Sequence, residues 1–249
     1  MARRRGGRGI ARGAGGARPR LAAAVQLLAL YGATVGVLTF LSPGVVIGGP
    51  ALPKLLFLLR MAVLLAVATG LLWMRGLGWA DVGLRRPKLG RFLLAVTLGF
   101  LACALAAASV RIAQGALGQH GAVGPAKDYA MFQPLAHHLP EYLFWLFATW
   151  TTAAFGEEML FRGFVLDAIQ RILGGRSWAV FAAVILQGLL FGVLHLYQGL
   201  NGAEVATALG IMLGFVWWAS GRNLWAGVLI HGAFDSLAMT VIYLGLLPH

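Results

Sequence analysis

Six ionisable side chains stand inside apolar stretches of this chain, in three spaced groups: Glu157-Glu158-x-x-x-Arg162, Phe191-x-x-x-His195 and His231-x-x-x-Asp235. Glu158 and Arg162 are four apart, so on a helix they share a face and can pair. Pairing keeps Glu158 ionised as a positioner and leaves Glu157 beside it without a cation of its own. A partly desolvated carboxylate in that place suits a general base. His231 and Asp235 also share a face, where Asp235 can orient the imidazole or contribute its own oxygen. Each pair has a plainer reading as a buried contact that stitches helices together. The extra carboxylate at 157 is harder to explain that way.

The setting sharpens the point. A charged side chain at the bilayer centre costs roughly 2.5–3.5 kcal/mol on insertion scales. Glu157, Glu158 and Arg162 all facing lipid would cost on the order of 8–10 kcal/mol, comparable to the whole stability of a domain. They must face a protein interior or a wet cavity, and such a cluster reads first as a working site.

The elements that must hold these groups are membrane helices. Of 249 residues, 59% are hydrophobic and 11% charged, with a mean hydropathy of +0.80; soluble domains carry about 25% charged residues. The expected fold is all-α, a polytopic transmembrane bundle of about seven spans. The apolar stretches are Leu21–Leu41, Leu55–Trp73, Phe92–Ile112, Tyr142–Phe164, Trp178–Leu196, Val205–Ala219 and Leu224–Leu246. Gly174-Gly175 and Ser220-Gly221 break the later helices from one another. An eighth span would have to come from Gln114–Pro140, which is polar and interrupted by proline. Residues 142–246 hold all three groups and form the expected catalytic core of one helical domain, 21–249. Gly188-x-x-x-Gly192 and Gly210-x-x-x-Gly214 read as close-packing devices, and the single cysteine, Cys103, as packing.

The net charge of +12 does not indicate nucleic acid. Arg3, Arg4, Arg5, Arg8, Arg12, Arg18 and Arg20 lie in a Gly/Ala/Arg-rich segment, 1–20, without aromatics or apolar periodicity. It reads as a disordered tail that sets topology and touches anionic lipid. Most of the 20 Lys/Arg fall on one side of a seven-span arrangement, through the tail, the Arg75–Arg91 loop, the Arg162–Arg176 segment and Arg222. The exceptions are Lys54, Arg60, Arg111 and Lys127. The amino terminus is therefore expected in the cytoplasm. Trp217, Trp218 and Trp225 flank Arg222 and read as interfacial anchors, and His137 and His138 as solvated loop residues.

Depth brings the groups together. At about 1.5 Å per residue, Glu157 lies roughly 21 Å from Arg171, and His195 roughly 25 Å from Trp178. Glu157 and His195 can thus share one level of a helical hairpin. His231, about 15 Å from the Gly221 turn, can reach the same cavity from a third helix.

The three motifs, in this order and each in an apolar helix, resemble those of the CPBP or Abi family of CAAX proteases and bacteriocin-processing proteins. The resemblance covers roughly residues 150–240. It implies an intramembrane endopeptidase in which Glu157 activates water with His195 assisting, Glu158 and Arg162 form the supporting pair, and His231 and the 235 position stabilise the oxyanion. Where the family usually has Asn, this chain has Asp235; an ionised carboxylate accepts hydrogen bonds but donates none, so Asp235 would hold His231 or bind a cation.

The same residues allow a second version, with Glu157, His195 and His231 as a zinc set open to water. No H-E-x-x-H supports it, and the metal-free version is preferred. A non-catalytic bacteriocin-immunity or scaffold protein is the rival class, disfavoured by three helices aiming ionisable groups at one point. The expected partners are membrane lipids and a protein or peptide substrate, with no nucleic acid. The Gly/Ala/Arg-rich composition points to a GC-rich bacterial genome, hence to a bacterial inner membrane and away from prenylated substrates.

Overall fold

The computed structural model describes residues 17–41, 51–119, 132 and 134–246, with the side chains of 51–53 left aside. Arg3 to Arg12 of the tail, and Lys127, lie outside the described residues. The helices are α1 (Ala17–Phe40), α2 (Ala51–Trp73), α3 (Leu89–Ala116), α4 (Leu139–Ala148), a π-helical segment (Thr149–Val165), α5 (Leu166–Ile172), α6 (Ala179–Leu194), α7 (Gly199–Ala219) and α8 (Leu224–Tyr243), with a 3₁₀ turn at Leu196–Gln198. Among the described residues there is no strand.

Five helices are long and apolar enough to cross a membrane: Ala17–Phe40, Lys54–Trp73, Leu89–Ala116, Leu196–Ala219 and Leu224–Tyr243; Ala179–Leu194 is apolar but shorter. The expected all-helical membrane bundle is present. The seven expected stretches appear as seven helical runs, and two of them fall short of these crossing criteria. One is α6, by length. The other is the run from α4 to α5, which carries the charged residues of the candidate site.

Some boundaries differ from expectation. Helix α1 begins at Ala17, so Arg18 and Arg20 belong to a helix rather than to a disordered tail. Helix α7 begins six residues earlier than expected and α3 ends four later. The polar residues that hid these turns satisfy one another across the helices: Gln114 Nε2 donates to Asn201 O (3.0 Å) and Glu204 Oε2 (2.7 Å), and Asn201 Nδ2 donates to Gln119 O (3.1 Å). His138 is exposed but caps α4, its Nδ1 accepting from the Glu141 amide at 3.3 Å. Pro140 follows in the first turn, where a missing N–H costs nothing.

The run through α4, the π segment and α5 forms the central rod. Thr151 and Thr152 hydroxyls bond the carbonyls of Phe147 and Ala148, four residues back, at 2.8 and 2.7 Å. They compete for acceptors that an α-helix would use. The widened winding starts there and closes where the Leu166 amide donates to Phe161 O, five residues back. The rod ends at a glycine turn with Gly174 and Gly175 at φ 82° and 67°, the Gly175 amide donating to Gln170 O at 2.8 Å. This is the left-handed helix ending that glycine favours.

Residues Glu158 to Ile169 of the rod are all buried. Phe164, Leu166, Val184, Phe191, Trp217 and Leu224 form the heart of the core. Trp217 is therefore a core residue at 3% exposure, not an interfacial anchor; Trp218 and Trp225 remain exposed. Helices α6 and α7 meet through glycine, as the two spaced pairs predict: a Cβ added to Gly210 would lie 3.0 Å from Gly188 Cα. The outer helices α1, α2 and α3 turn leucines such as Leu28, Leu59 and Leu98 outward, as a lipid-facing shell would. Cys103 is buried in packing beside Ile230 and Leu213.

Candidate active site

Five of the six expected site residues, Glu157, Glu158, Arg162, His231 and Asp235, meet in one side-chain cluster, and His195 is placed beside it. Glu158 and Arg162, on the π segment, are fully buried and paired at 2.8 Å. The contact is ionic rather than a well-aligned hydrogen bond, and Arg162 Nε has no hydrogen-bond partner among the described residues. Arg162 Nη2 donates to Gly210 O at 3.2 Å, and its guanidinium lies 4.7 Å from the centre of the Phe191 ring. Three helices therefore hold this one cation: the rod, α6 and α7.

His231 enters from α8. Its Nδ1 meets Glu158 Oε1 at 3.1 Å, so that one carboxylate oxygen serves both Arg162 and His231. The opposite ring nitrogen, Nε2, faces Asp235 Oδ2 at 3.5 Å and Glu157 Oε2 at 3.9 Å. The ring thus spans from a fully buried carboxylate to two partly open ones, with Glu157 and Asp235 side chains 22% and 35% exposed. Glu157 Oε2 is itself buried and without a hydrogen-bond partner among the described residues.

His195 ends α6, and its Nδ1 is 2.8 Å from Phe191 O. It lies within electrostatic range of Glu157 and Asp235. Its ring stacks at 4.3 Å on Phe191, whose other neighbours include Phe161 at 4.9 Å and His231 at 6.1 Å. Phe191 is thus an aromatic post between Arg162, His195 and His231. The sequence reading named it in a motif but gave it no place in the site.

Gly227 was also missed. A Cβ there would collide with Glu158 Oε2, so α8 can approach the buried carboxylate only because this position lacks a side chain. Its position four before His231 on α8 is the signal that could have marked it. Gln187 Nε2 shares the Gly210 carbonyl with Arg162, at 2.8 Å, and no spacing rule connects residues 162, 187 and 210.

The zinc alternative would draw on Glu157, His195 and His231, of which Glu157 Oε2 and His231 Nε2 stand 3.9 Å apart. Among the described residues, no three His, Cys, Asp or Glu side chains are grouped to hold a metal ion. His195 turns Nδ1 to its own helix and His231 turns Nδ1 to Glu158. Apolar hollows lie along α2, one of them lined by Leu58, Met61, Leu65, Phe147, Thr151 and Thr152.

Comparison with known proteins agrees with the motifs. Residues 139–237 match the family model described as type II CAAX prenyl endopeptidase Rce1-like. No curated protein and no solved structure matches the chain. The matched segment begins with α4 and ends just after Asp235, so it contains every residue of the cluster. Over that segment the chain is similar to CAAX prenyl endopeptidases, in line with the CPBP resemblance of its motifs.

Proposed function

We propose that the protein hydrolyses a peptide bond within or at the edge of the membrane by activating water without a metal. Glu157 takes a proton from the water, with His195 beside it to orient the water or share the proton. The hydroxide attacks the scissile carbonyl. His231 stabilises the negative charge that develops on the carbonyl oxygen. Glu158, held by Arg162, accepts from His231 Nδ1, so that Nε2 is the atom offered to the reaction. Asp235 accepts on the Nε2 side and keeps the ring oriented. The proton on Glu157 then passes to the leaving amine.

The single observation that carries this reading is the His231 ring. One of its nitrogens contacts a buried ion pair and the other faces two further carboxylates, Glu157 and Asp235, both partly open. A scaffold needs the first contact but not the second.

The substrate is proposed to be a peptide leader or a membrane-anchored protein of a bacterial inner membrane, with the basic end of the bundle in the cytoplasm. The side of the bundle supports that orientation: Arg85 Nη2 donates to Gly221 O and Arg91 Nε to Ala219 O, at 2.7 and 2.6 Å. The arginines of the 75–91 segment and of the 219–222 turn therefore lie at one end, as the positive-inside rule requires.

The test is a comparison of new amino termini in the membrane proteomes of cells carrying wild type or Glu157→Gln. Fragments present only with wild type, at equal membrane levels of the two proteins, are the expected result. Identical fragment sets would end the assignment.

A further inference from the structure

A second polar cluster lies at the basic end of the rod, away from the candidate active site. Asp167 Oδ2 accepts from Arg75 Nη2 at 2.9 Å and from Arg171 Nε at 2.8 Å. Arg222 leans on the same region, its Nη2 3.4 Å from Gln170 Oε1 and its guanidinium 5.4 Å from the Trp217 ring. Arg222 holds this place at φ 62°, a conformation that costs a non-glycine residue free energy. On the other side, α1 packs on α5 and brings Arg20 against Gly174, where a Cβ would press on its guanidinium. Arg20 Nε is buried and has no hydrogen-bond partner among the described residues.

The charges do not balance. Arg75, Arg171 and Arg222 gather around one carboxylate, with Arg20 at the rim. Burial pulls the guanidinium pKa values of Arg75 and Arg222 below their ordinary range, and Asp167 opposes the effect in both. Neighbouring cations add to it: Arg171 for Arg75, and Arg85 for Arg222. Partly desolvated cations short of counter-charge favour a bound anion, and arginine forks match phosphate oxygens in pairs.

The level of the cluster says which phosphate. Trp73, Trp178, Trp218 and Trp225 are exposed around this same end. Exposed tryptophans collect where headgroups meet the hydrocarbon, and basic pockets between helices at that level take lipid headgroups.

We propose that the headgroup phosphate of an anionic phospholipid docks against Arg20, Arg75, Arg171 and Arg222 at the end of the rod. The lipid neutralises the excess charge, and its tails run along the outer helices. Arg20 supplies the donor that the protein leaves unused.

The test is native mass spectrometry of the full chain in detergent, titrated separately with dioleoylphosphatidylglycerol, dioleoylphosphatidylcholine and inorganic phosphate. The expected result is at least a tenfold preference for phosphatidylglycerol over phosphatidylcholine. The preference should fall at least fivefold in Arg20→Gln and in Arg222→Gln. It should be unchanged in Arg111→Gln, whose cation lies toward the opposite end of α3. Equal binding of the two lipids would overturn the proposal, as would full preference in Arg20→Gln. Displacement of the lipid by millimolar inorganic phosphate would overturn it too, by showing that the site takes a free anion. Arg20→Gln breaks no ion pair among the described residues, so it decides the matter even if Arg222→Gln fails to fold.

Discussion

The rod carries two carboxylate–arginine pairs with the same four-residue spacing, Glu158–Arg162 and Asp167–Arg171, each at 2.8 Å. They share spacing and separation, though only the second is a well-aligned hydrogen bond. Their surroundings separate them. Glu158–Arg162 is fully buried, and its neighbours are further carboxylates, two histidines and an aromatic ring. Asp167–Arg171 is 11% and 19% exposed, and its neighbours are more arginines. An i,i+4 ion pair says little by itself; the groups that other helices bring to it decide what it does. At 158 they supply acceptors and imidazoles that can move a proton. At 167 they supply only cations, which bind.

The comparison can be broken most severely at Glu157, which belongs to the first cluster and has no counterpart in the second. Glu157→Gln is expected to lower cleavage by more than a thousandfold with little change in thermal unfolding in detergent. Cleavage at a normal rate would leave the upper cluster with no more chemistry than the lower one.

The next largest effect is on stability. Arg162→Met leaves the buried Glu158 with only the His231 ring against it, at an expected cost of about 3–5 kcal/mol, read as a large fall in unfolding temperature or a loss of folded protein. The matching change in the second cluster, Arg171→Met, leaves Asp167 still held by Arg75. It should cost about 1 kcal/mol or less and leave cleavage within about twofold. Equal losses from the two would mean that burial does not distinguish the pairs.

A steric test sharpens the first cluster without touching any charge. Gly227→Ala places a methyl group against Glu158 Oε2. It should reduce cleavage at least tenfold by pushing α8, and His231 with it, off the carboxylate. Among changes to the first cluster, Asp235→Asn should have the smallest effect, within about fivefold, because an amide oxygen can still accept from His231 and the amide can also donate to the oxyanion. Loss of all cleavage in Asp235→Asn would mean that the ionised carboxylate itself takes part.

Much of this arrangement was legible in the residues, but unevenly. The Glu158–Arg162 and His231–Asp235 pairings follow from helical spacing alone, because side chains four apart share a face. The approach of His231 to Glu158 does not follow, since it depends on how α8 lies against the rod. That in turn rests on Gly227, a residue with no side chain to announce itself. The widening of the rod at Thr149–Val165 was hidden because its cause is a pair of threonine hydroxyls, which in most helices bond back without altering the winding. The ends of α3 and α7 were cut short for a third reason. Gln114, Asn201 and Glu204 look like loop residues when each is read singly, and become helical residues once they bond to one another. Trp217 looked like an anchor beside Arg222, and is buried because it faces the glycine turn at Gly83 instead of lipid.

The continuity of the rod has one more consequence. Glu157 and Asp167 lie on the same unbroken helical run, at most roughly 15 Å apart along it, the value for an α-helical rise of about 1.5 Å per residue, since the widened turns rise less. The groups proposed to activate water therefore stand at a set depth beneath the arginine rim, like a mark on a ruler. A peptide reaching them in extended form covers about 3.3 Å per residue, so the bond that is cut should fall about four or five residues from the point where the substrate leaves the headgroups. Moving a charged anchor residue along a substrate should move the cut with it, residue for residue.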